Sequence, residues 1–409
     1  MNEYKFLAYA LSLSLIALQL IVVQMAKADE LLEYSAFLEK VQMQNLDLKI
    51  ATAIQEKTAA QANGIRLPDP MLSGIQLQPK TGDVGRGFVA SQNIPFPTKI
   101  LSNHASRRSE ALAQEQSKLA KEQEVLSQSR YIYFSLWAAQ EMMNLLHEKQ
   151  AIIENHLKLA RSVARSDSFV NVHLLKAESD LDMLLIEIQS AEQKLIEKQT
   201  DLAALINEDP SNYKVKVQAL PFPKIQKIKI THQTPQIKSL GFNLESKSSS
   251  LDEAYSAWLP DFNFSYKQMN NSAMGGAYQE AMLGVSVPFL FFWQPQSQVK
   301  EAVAQKTEAQ YRLEKQTRLI EADVENQSTL LTSLQKRLKL IEENLLPRAE
   351  KRLKRIRNIA PRDLETLQDY RKTHEAFPDL KIKALEIRVD LERAIAKLKQ
   401  YDFIEGEVK

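Results

Sequence analysis

The residues able to do chemistry in this chain are mostly charged, and they bunch. Lys351-Arg352-Leu353-Lys354-Arg355-Ile356-Arg357 is a dense basic run. Such a run either pairs with carboxylates on a neighbouring element or complements the negative end of a helix dipole. The six histidines are His104, His147, His156, His173, His232 and His374. None shows a metal-ligand spacing such as H-E-x-x-H, and the GxxxxGK[ST] loop that cradles phosphates is absent. Cysteine is absent too, which removes disulfides, thiolate metal sites and thiol catalysis. These residue types predict neither an enzyme nor a bound cofactor or metal, and any energy for work must come from a partner.

The elements that position those charges can be read from composition. Of 409 residues, 25% are charged and 44% hydrophobic, which excludes both a disordered tail and a polytopic helical membrane protein. Lys plus Arg is 53 and Asp plus Glu is 51, so the charge balance gives no support to nucleic-acid binding. The N-terminus has the order of an export signal: Lys5, an apolar run from Phe6 to Val23, then Ala26-Lys27-Ala28 as a small-x-small cleavage site. An uncleaved signal anchor is the other reading of that run.

Glycine numbers only 10, and eight of these fall in two windows, Gly64 to Gly87 and Gly275 to Gly284. Between Thr98 and Asp209 there is neither Gly nor Pro, and strong helix formers fill the stretch. Its apolar residues repeat every seven. Val125, Ile132, Ala139, Leu146 and Ile153 form one row, with Leu136, Met143 and Leu157 beside it. Leu174, Leu181, Ile188, Leu195 and Leu202 form a second set, flanked by Ala177, Leu184, Ala191 and Leu205. The phase changes near Ser166-Asp167-Ser168, a polar spot able to turn and cap a helix. This predicts an antiparallel coiled hairpin with a first arm of about 100 Å. The design returns with Val324, Leu331, Leu338 and Leu345, beside Leu313, Ile320, Leu334 and Ile341, and turns at Asn358-Ile359-Ala360-Pro361. Pro347 and Pro378 fall inside these helices and are expected to kink or interrupt them.

The glycine windows carry period two. Phe262, Phe264 and Tyr266 alternate with Asn263, Ser265 and Lys267, while Leu283, Val285 and Val287 alternate with Met282, Gly284 and Ser286. Ile75 and Leu77, and then Phe88, Ala90 and Ile94, do the same more weakly. Strands of about nine to ten residues cross a bilayer when tilted. Phe96, Phe289, Phe291, Phe292 and Trp293 sit at their ends, where an interfacial aromatic girdle belongs. A small soluble β-domain is the competing reading. Four strands cannot close a barrel, and lipid tolerates no open edge, so copies must combine. Dimer and trimer both satisfy the minimum of about eight strands.

Leu67-Pro68-Asp69 recurs as Leu259-Pro260-Asp261, offset by 192, and Ile94-Pro95-Phe96 as Val287-Pro288-Phe289, offset by 193. The chain is therefore a duplication. Residues 1–28 are the signal and 29–209 the first repeat, with strands at about 70–78 and 86–94 and a helical hairpin at about 98–207. Residues 210–233 form a linker; 234–409 is the second repeat, with strands at about 261–269 and 280–288 and a hairpin at about 296–400.

With Leu67-Pro68-Asp69-Pro70-Met71-Leu72, Asn93-Ile94-Pro95-Phe96-Pro97 and Leu345-Leu346-Pro347-Arg348-Ala349-Glu350, nearly the whole mature chain resembles the outer-membrane efflux protein (TolC-like) family. The first two motifs are similar in particular to its heavy-metal-efflux (CzcC- and CusC-like) branch. The resemblance implies a mainly α fold with a small β part: duplicated helical hairpins forming a periplasmic tunnel, and four transmembrane strands per chain in a trimeric twelve-stranded barrel. It implies a homotrimer in the outer membrane of a Gram-negative bacterium, a passive exit duct fed by a periplasmic adaptor and an inner-membrane pump of RND type. The cargo would be heavy-metal cations, with drug efflux or type I protein secretion as alternatives. A periplasmic coiled-coil adaptor is a further alternative, disfavoured by the repeat and the strand pairs.

The resemblance also implies site residues. The adaptor would dock at the tips, Arg165-Ser166-Asp167-Ser168 and Asn358-Ile359-Ala360, which lack the glycine common in the family. The family's acidic pattern inside the second tip falls on Glu365-Thr366-Leu367-Gln368-Asp369, where Glu365 keeps the first acid and Gln368 replaces the second. A three-fold axis would turn Glu365, with neighbours Asp363 and Asp369, into a ring that attracts cations. Arg355 and Arg357 are candidates for gate-closing salt bridges to Asp167 or Asp180.

Overall fold

The computed structural model describes residues 31–78, 84–163, 168–210, 213–221, 234–271, 276–356 and 364–401. The signal segment lies outside the described residues. The elements are β1 (Leu31–Leu32), α1 (Tyr34–Gln44), α2 (Leu46–Ala62), β2 (Met71–Leu77), β3 (Gly85–Ile94), α3 (Pro97–Val163), α4 (Ser168–Leu205) and β4 (Lys216–Val217). Then come α5 (Pro235–Ser256), β5 (Phe262–Asn271), β6 (Gly276–Val285), a 3-10 turn (Pro288–Phe291), α6 (Trp293–Lys339), a π-helical stretch (Leu340–Leu345), α7 (Leu346–Ile356) and α8 (Leu364–Lys399). The fold is mainly helical with a small sheet, as read from the periodicities. No described helix is long and apolar enough to cross a membrane.

Two compact units result. The first comprises Met1–Lys49, Glu122–Lys229 and Asp323–Lys409. Here the first hairpin closes on Leu146, Ile153 and Leu157 of α3 against Ala177, Leu184, Ile188 and Ala191 of α4. The seam thus centres on the row read as flanking, while Leu174 and Leu181 are only partly buried beside it. Alanine at the contact lets the two backbones approach closely. A second core joins Phe37, Val41, Val125, Tyr133, Leu136, Leu202 and Ile206. It sits under a two-stranded parallel sheet of β1 and β4, which no sequence period announced. Tyr133 holds this sheet: its hydroxyl donates to the Leu32 carbonyl at 2.7 Å and accepts from the Gln218 amide at 3.2 Å. Asn45 closes α1 and opens α2; its Oδ1 accepts from the Leu48 amide at 3.1 Å, an N-cap bond, and its Nδ2 donates to the Leu205 carbonyl at 2.8 Å.

The second hairpin departs from its heptads at one place. Val324, Leu331, Leu338 and Ile341 are buried, but Leu345 is 36% exposed. The π-helical stretch intervenes, and its wider turn rotates the following residues off the buried face. Pro347, with no amide to donate to the carbonyl four residues back, sits just beyond it. Pro378, expected to act alike, lies inside an uninterrupted α8.

The second unit comprises Ile50–Lys121 and Ile230–Ala322. Its antiparallel sheet has the order β2-β3-β5-β6. Strand β6 begins at Gly276 and ends at Val285, earlier at both ends than the alternation implied, because Pro288 starts a 3-10 turn. Serines let α3 and α5 meet closely: Ser106 Oγ lies 3.0 Å from Ser246 Oγ and 2.9 Å from Ser250 Oγ. At the base of the sheet, Asp261 accepts from the Phe96 amide at 3.0 Å and from Lys99 Nζ at 2.7 Å, fixing the start of β5 to the start of α3.

Candidate functional site

Two arrangements have functional geometry, one in each unit. The first is the four-stranded sheet. Its registers put Leu72, Phe88, Ala90, Ile94, Phe262, Phe264, Tyr266, Leu283 and Val285 on one face. Ser73, Ser91, Asn93, Asn263, Ser265, Lys267, Glu280 and Gly284 lie on the other, interleaved with Met71, Ile75, Leu77, Val89, Met269 and Met282, so Ile75 and Leu77 face opposite to Phe88, Ala90 and Ile94. Leu72 and Leu283 are about three-quarters exposed, at 76% and 73%, which is a cost in water and a gain in hydrocarbon. Lys267 Nζ lies 3.9 Å from Glu280 Oε2 on the face that carries Ser73, an ion pair suited to an aqueous lumen. Phe289, Phe291, Phe292 and Trp293 are all more than half exposed at one end of the sheet. Both edges, β2 and β6, are unpaired among the described residues.

Gly87 is where the sheet has least room. A Cβ there would fall 2.1 Å from the Gln268 carbonyl oxygen and 2.7 Å from Met269 Cα, so only glycine lets β3 and β5 close at this register.

The second arrangement is a polar cluster toward the hairpin ends. Arg371 on α8 donates through Nη2 to Asp180 on α4 and through Nε to Glu375 at 2.7 Å. Beside it, His156 of α3 is 6% exposed, and its Nδ1 has no hydrogen-bond partner among the described residues. Burial, and then the charge of Arg371, push the His156 pKa down to about 4. The ring is therefore neutral at pH 7, which spares the interior a second cation next to the guanidinium. Further along α8, Asp379 meets Lys149 of α3 at 3.1 Å, and Lys381 meets Glu148 at 3.3 Å. In the core beneath, Arg130 grips Glu392 through two bonds of 2.9 and 3.0 Å; Glu392 is 2% exposed.

Asp180 is thus in an ion pair between hairpins, and its cation among the described residues is Arg371. Arg355 is exposed at the end of α7, and in the same basic run Lys354 pairs with Glu350 at 2.8 Å. Asp369 is exposed on α8. Glu365 and Gln368 lie in the opening turns of α8, and Ser168 opens α4. Asp363, Arg357, Arg165, Ser166, Asp167, Asn358, Ile359 and Ala360 lie outside the described residues. The sequence reading missed Arg371, Glu375, His156, Arg130 and Glu392. The Arg371 and Glu375 spacing of four was a usable signal; the partners across helices left none.

The chain thus combines a four-stranded sheet, exposed leucines on one of its faces and aromatic residues at one end, with long helical hairpins. Residues 229–401 match the outer membrane efflux protein family, the family that the LPDP and IPFP motifs resembled. The fold agrees over most of the chain. The Campylobacter jejuni CmeC outer membrane channel shares it with a TM-score of 0.76 at 18% identity, covering 91% of this chain and 87% of that one. The Neisseria gonorrhoeae MtrE outer membrane channel in its open state gives 0.74 at 14% identity, covering 90% and 88%. CusC, described in its transmembrane channel formation, gives 0.72 at 15% identity, covering 90% and 91%. A comparison with curated proteins gives no match.

Proposed function

We propose that this chain is one of three identical protomers of a passive outer-membrane exit duct in a tripartite efflux system. The observation that carries the reading is the sheet, which exposes Leu72, Phe88, Phe264 and Leu283 on one face and whose edges are free among the described residues. In lipid such a sheet is stable only when closed by further strands, and three copies give twelve. The protein resides in the outer membrane of a Gram-negative cell, with the hairpins in the periplasm. It transforms nothing; a periplasmic adaptor meets the hairpin tips, and an inner-membrane pump of RND type supplies the energy.

Heavy-metal cations are the cargo class that the branch motifs favour. At the periplasmic end, Glu365 with Asp363 and Asp369 forms a ring that selects cations, while the Arg371, Asp180 and Glu375 cluster holds α8 to α4 behind it. The experiment is fractionation followed by heat-modifiable migration in SDS. Unheated outer membranes should yield a trimer that heating converts to a monomer; a soluble monomer would end the proposal.

A further inference from the structure

The duplication sets how neighbouring copies join. Shifting the first hairpin by 192 in β2 and 193 in β3 turns the pair Met71 and Ser91 into Asn263 and Gly284, and Ile75 and Gly87 into Lys267 and Glu280. Both are pairs that β5 and β6 make. The two hairpins are therefore equivalent residue for residue. Between them, β3 meets β5 with Gln92 opposite Phe264 and Ala90 opposite Tyr266. The equivalent junction from β6 onward has no strand among the described residues; the strand equivalent to β5 is β2, whose outer edge is also free among them.

We infer that β6 of one copy pairs antiparallel with β2 of the next, in the register that sets Val285 opposite Leu72 and Leu283 opposite Gly74. This rests on the outer-membrane reading above. Two observations support it independently of the offsets. Val285 and Leu72 lie on the same apolar face, as the pairing requires; a slip of one residue would oppose Val285 to Ser73, whose side chain points the other way.

The Asp261 contact also has an unfilled equivalent. Asp261 accepts from the Phe96 amide at 3.0 Å. Its counterpart Asp69 is exposed and without a partner among the described residues, as is the amide of Phe289, the counterpart of Phe96. In the junction, Asp69 of the next copy accepts from that Phe289 amide. Lys99 has no counterpart, since Phe292 stands in its place, so the contact between copies is a carboxylate to amide bond alone.

Because the chain has no cysteine, an introduced pair holds the only thiols. Opposed residues of antiparallel strands have Cα atoms about 4.5–5.5 Å apart, within disulfide reach. The double variant Val285→Cys with Leu72→Cys, oxidised in isolated outer membranes, should run after boiling without reductant as a covalent ladder ending at the closed ring. Val285→Cys with Ser73→Cys should stay monomeric, as should each single variant. Leu283→Cys with Gly74→Cys is the second pair; a Cβ at Gly74 meets nothing within 4 Å, so this change is tolerated. Asp69→Ala should lower the temperature at which the oligomer dissociates in SDS, and no change would remove the Asp69 contact. Stronger crosslinking from Val285→Cys with Ser73→Cys or with Gly74→Cys would overturn the register. So would monomers from both proposed pairs in a protein that still fractionates with the outer membrane as an oligomer. A protein absent from the membrane fraction would instead sink the functional reading itself.

Discussion

Glu392 is the most consequential single charge in the helical unit. It is almost fully buried, and both its oxygens bind Arg130, whose side chain is 14% exposed. Removing one member of such a pair strands the other. Glu392→Gln should lower stability by about 3–5 kcal/mol, read as a reduced denaturant midpoint. His156 gives a pH effect of fixed sign. Its pKa falls from 6.5 in the unfolded chain to about 4 in the fold, so the unfolded state binds the extra proton first. Its contribution to stability is present above pH 6.5 and is lost as pH drops toward 4. His156→Leu should flatten that part of the decline, measured as denaturant midpoint against pH. Glu365→Ala, recorded as single channels in lipid, should reduce cation selectivity and block by multivalent cations; unchanged values would reject the ring.

Among the elements, the strands tolerate least. Gly87 lets β3 meet β5, and a side chain there collides with backbone rather than with a movable group. Gly87→Val should reduce the amount of heat-modifiable oligomer in the outer membrane and lower its dissociation temperature. Helices, strands and hairpins were legible because each carries its own period: seven in the Val125 to Ile153 row, two in Phe262 to Lys267. The parallel pairing of β1 with β4 was not, since two residues have no period. Nor was the exposure of Leu345, because a heptad row cannot show that one turn winds as a π-helix.

For the whole molecule, the proposed function and its heavy-metal cargo are tested together in the cell. A deletion strain should become sensitive to divalent or monovalent heavy-metal salts while keeping its tolerance to drugs and detergents, measured as growth-inhibitory concentrations and restored by the intact gene. The opposite pattern would move the cargo to drugs without touching the fold.

By itself the sequence determined the recurrence of its motifs at an offset of 192, the alternation of long hairpins with strand pairs, and the number of strands each chain supplies. Each of these is a statement about local period or about counting strands, and neither depends on knowing which segments meet. Tertiary structure alone decided the meetings: β3 against β5, Arg371 against Asp180, and Arg130 against Glu392 across 262 residues of chain. Such pairs carry no period, because a carboxylate's nearest cation is set by how helices pack and not by their spacing in the chain. For that reason Asp180 was legible as half of an ion pair, while its partner was not.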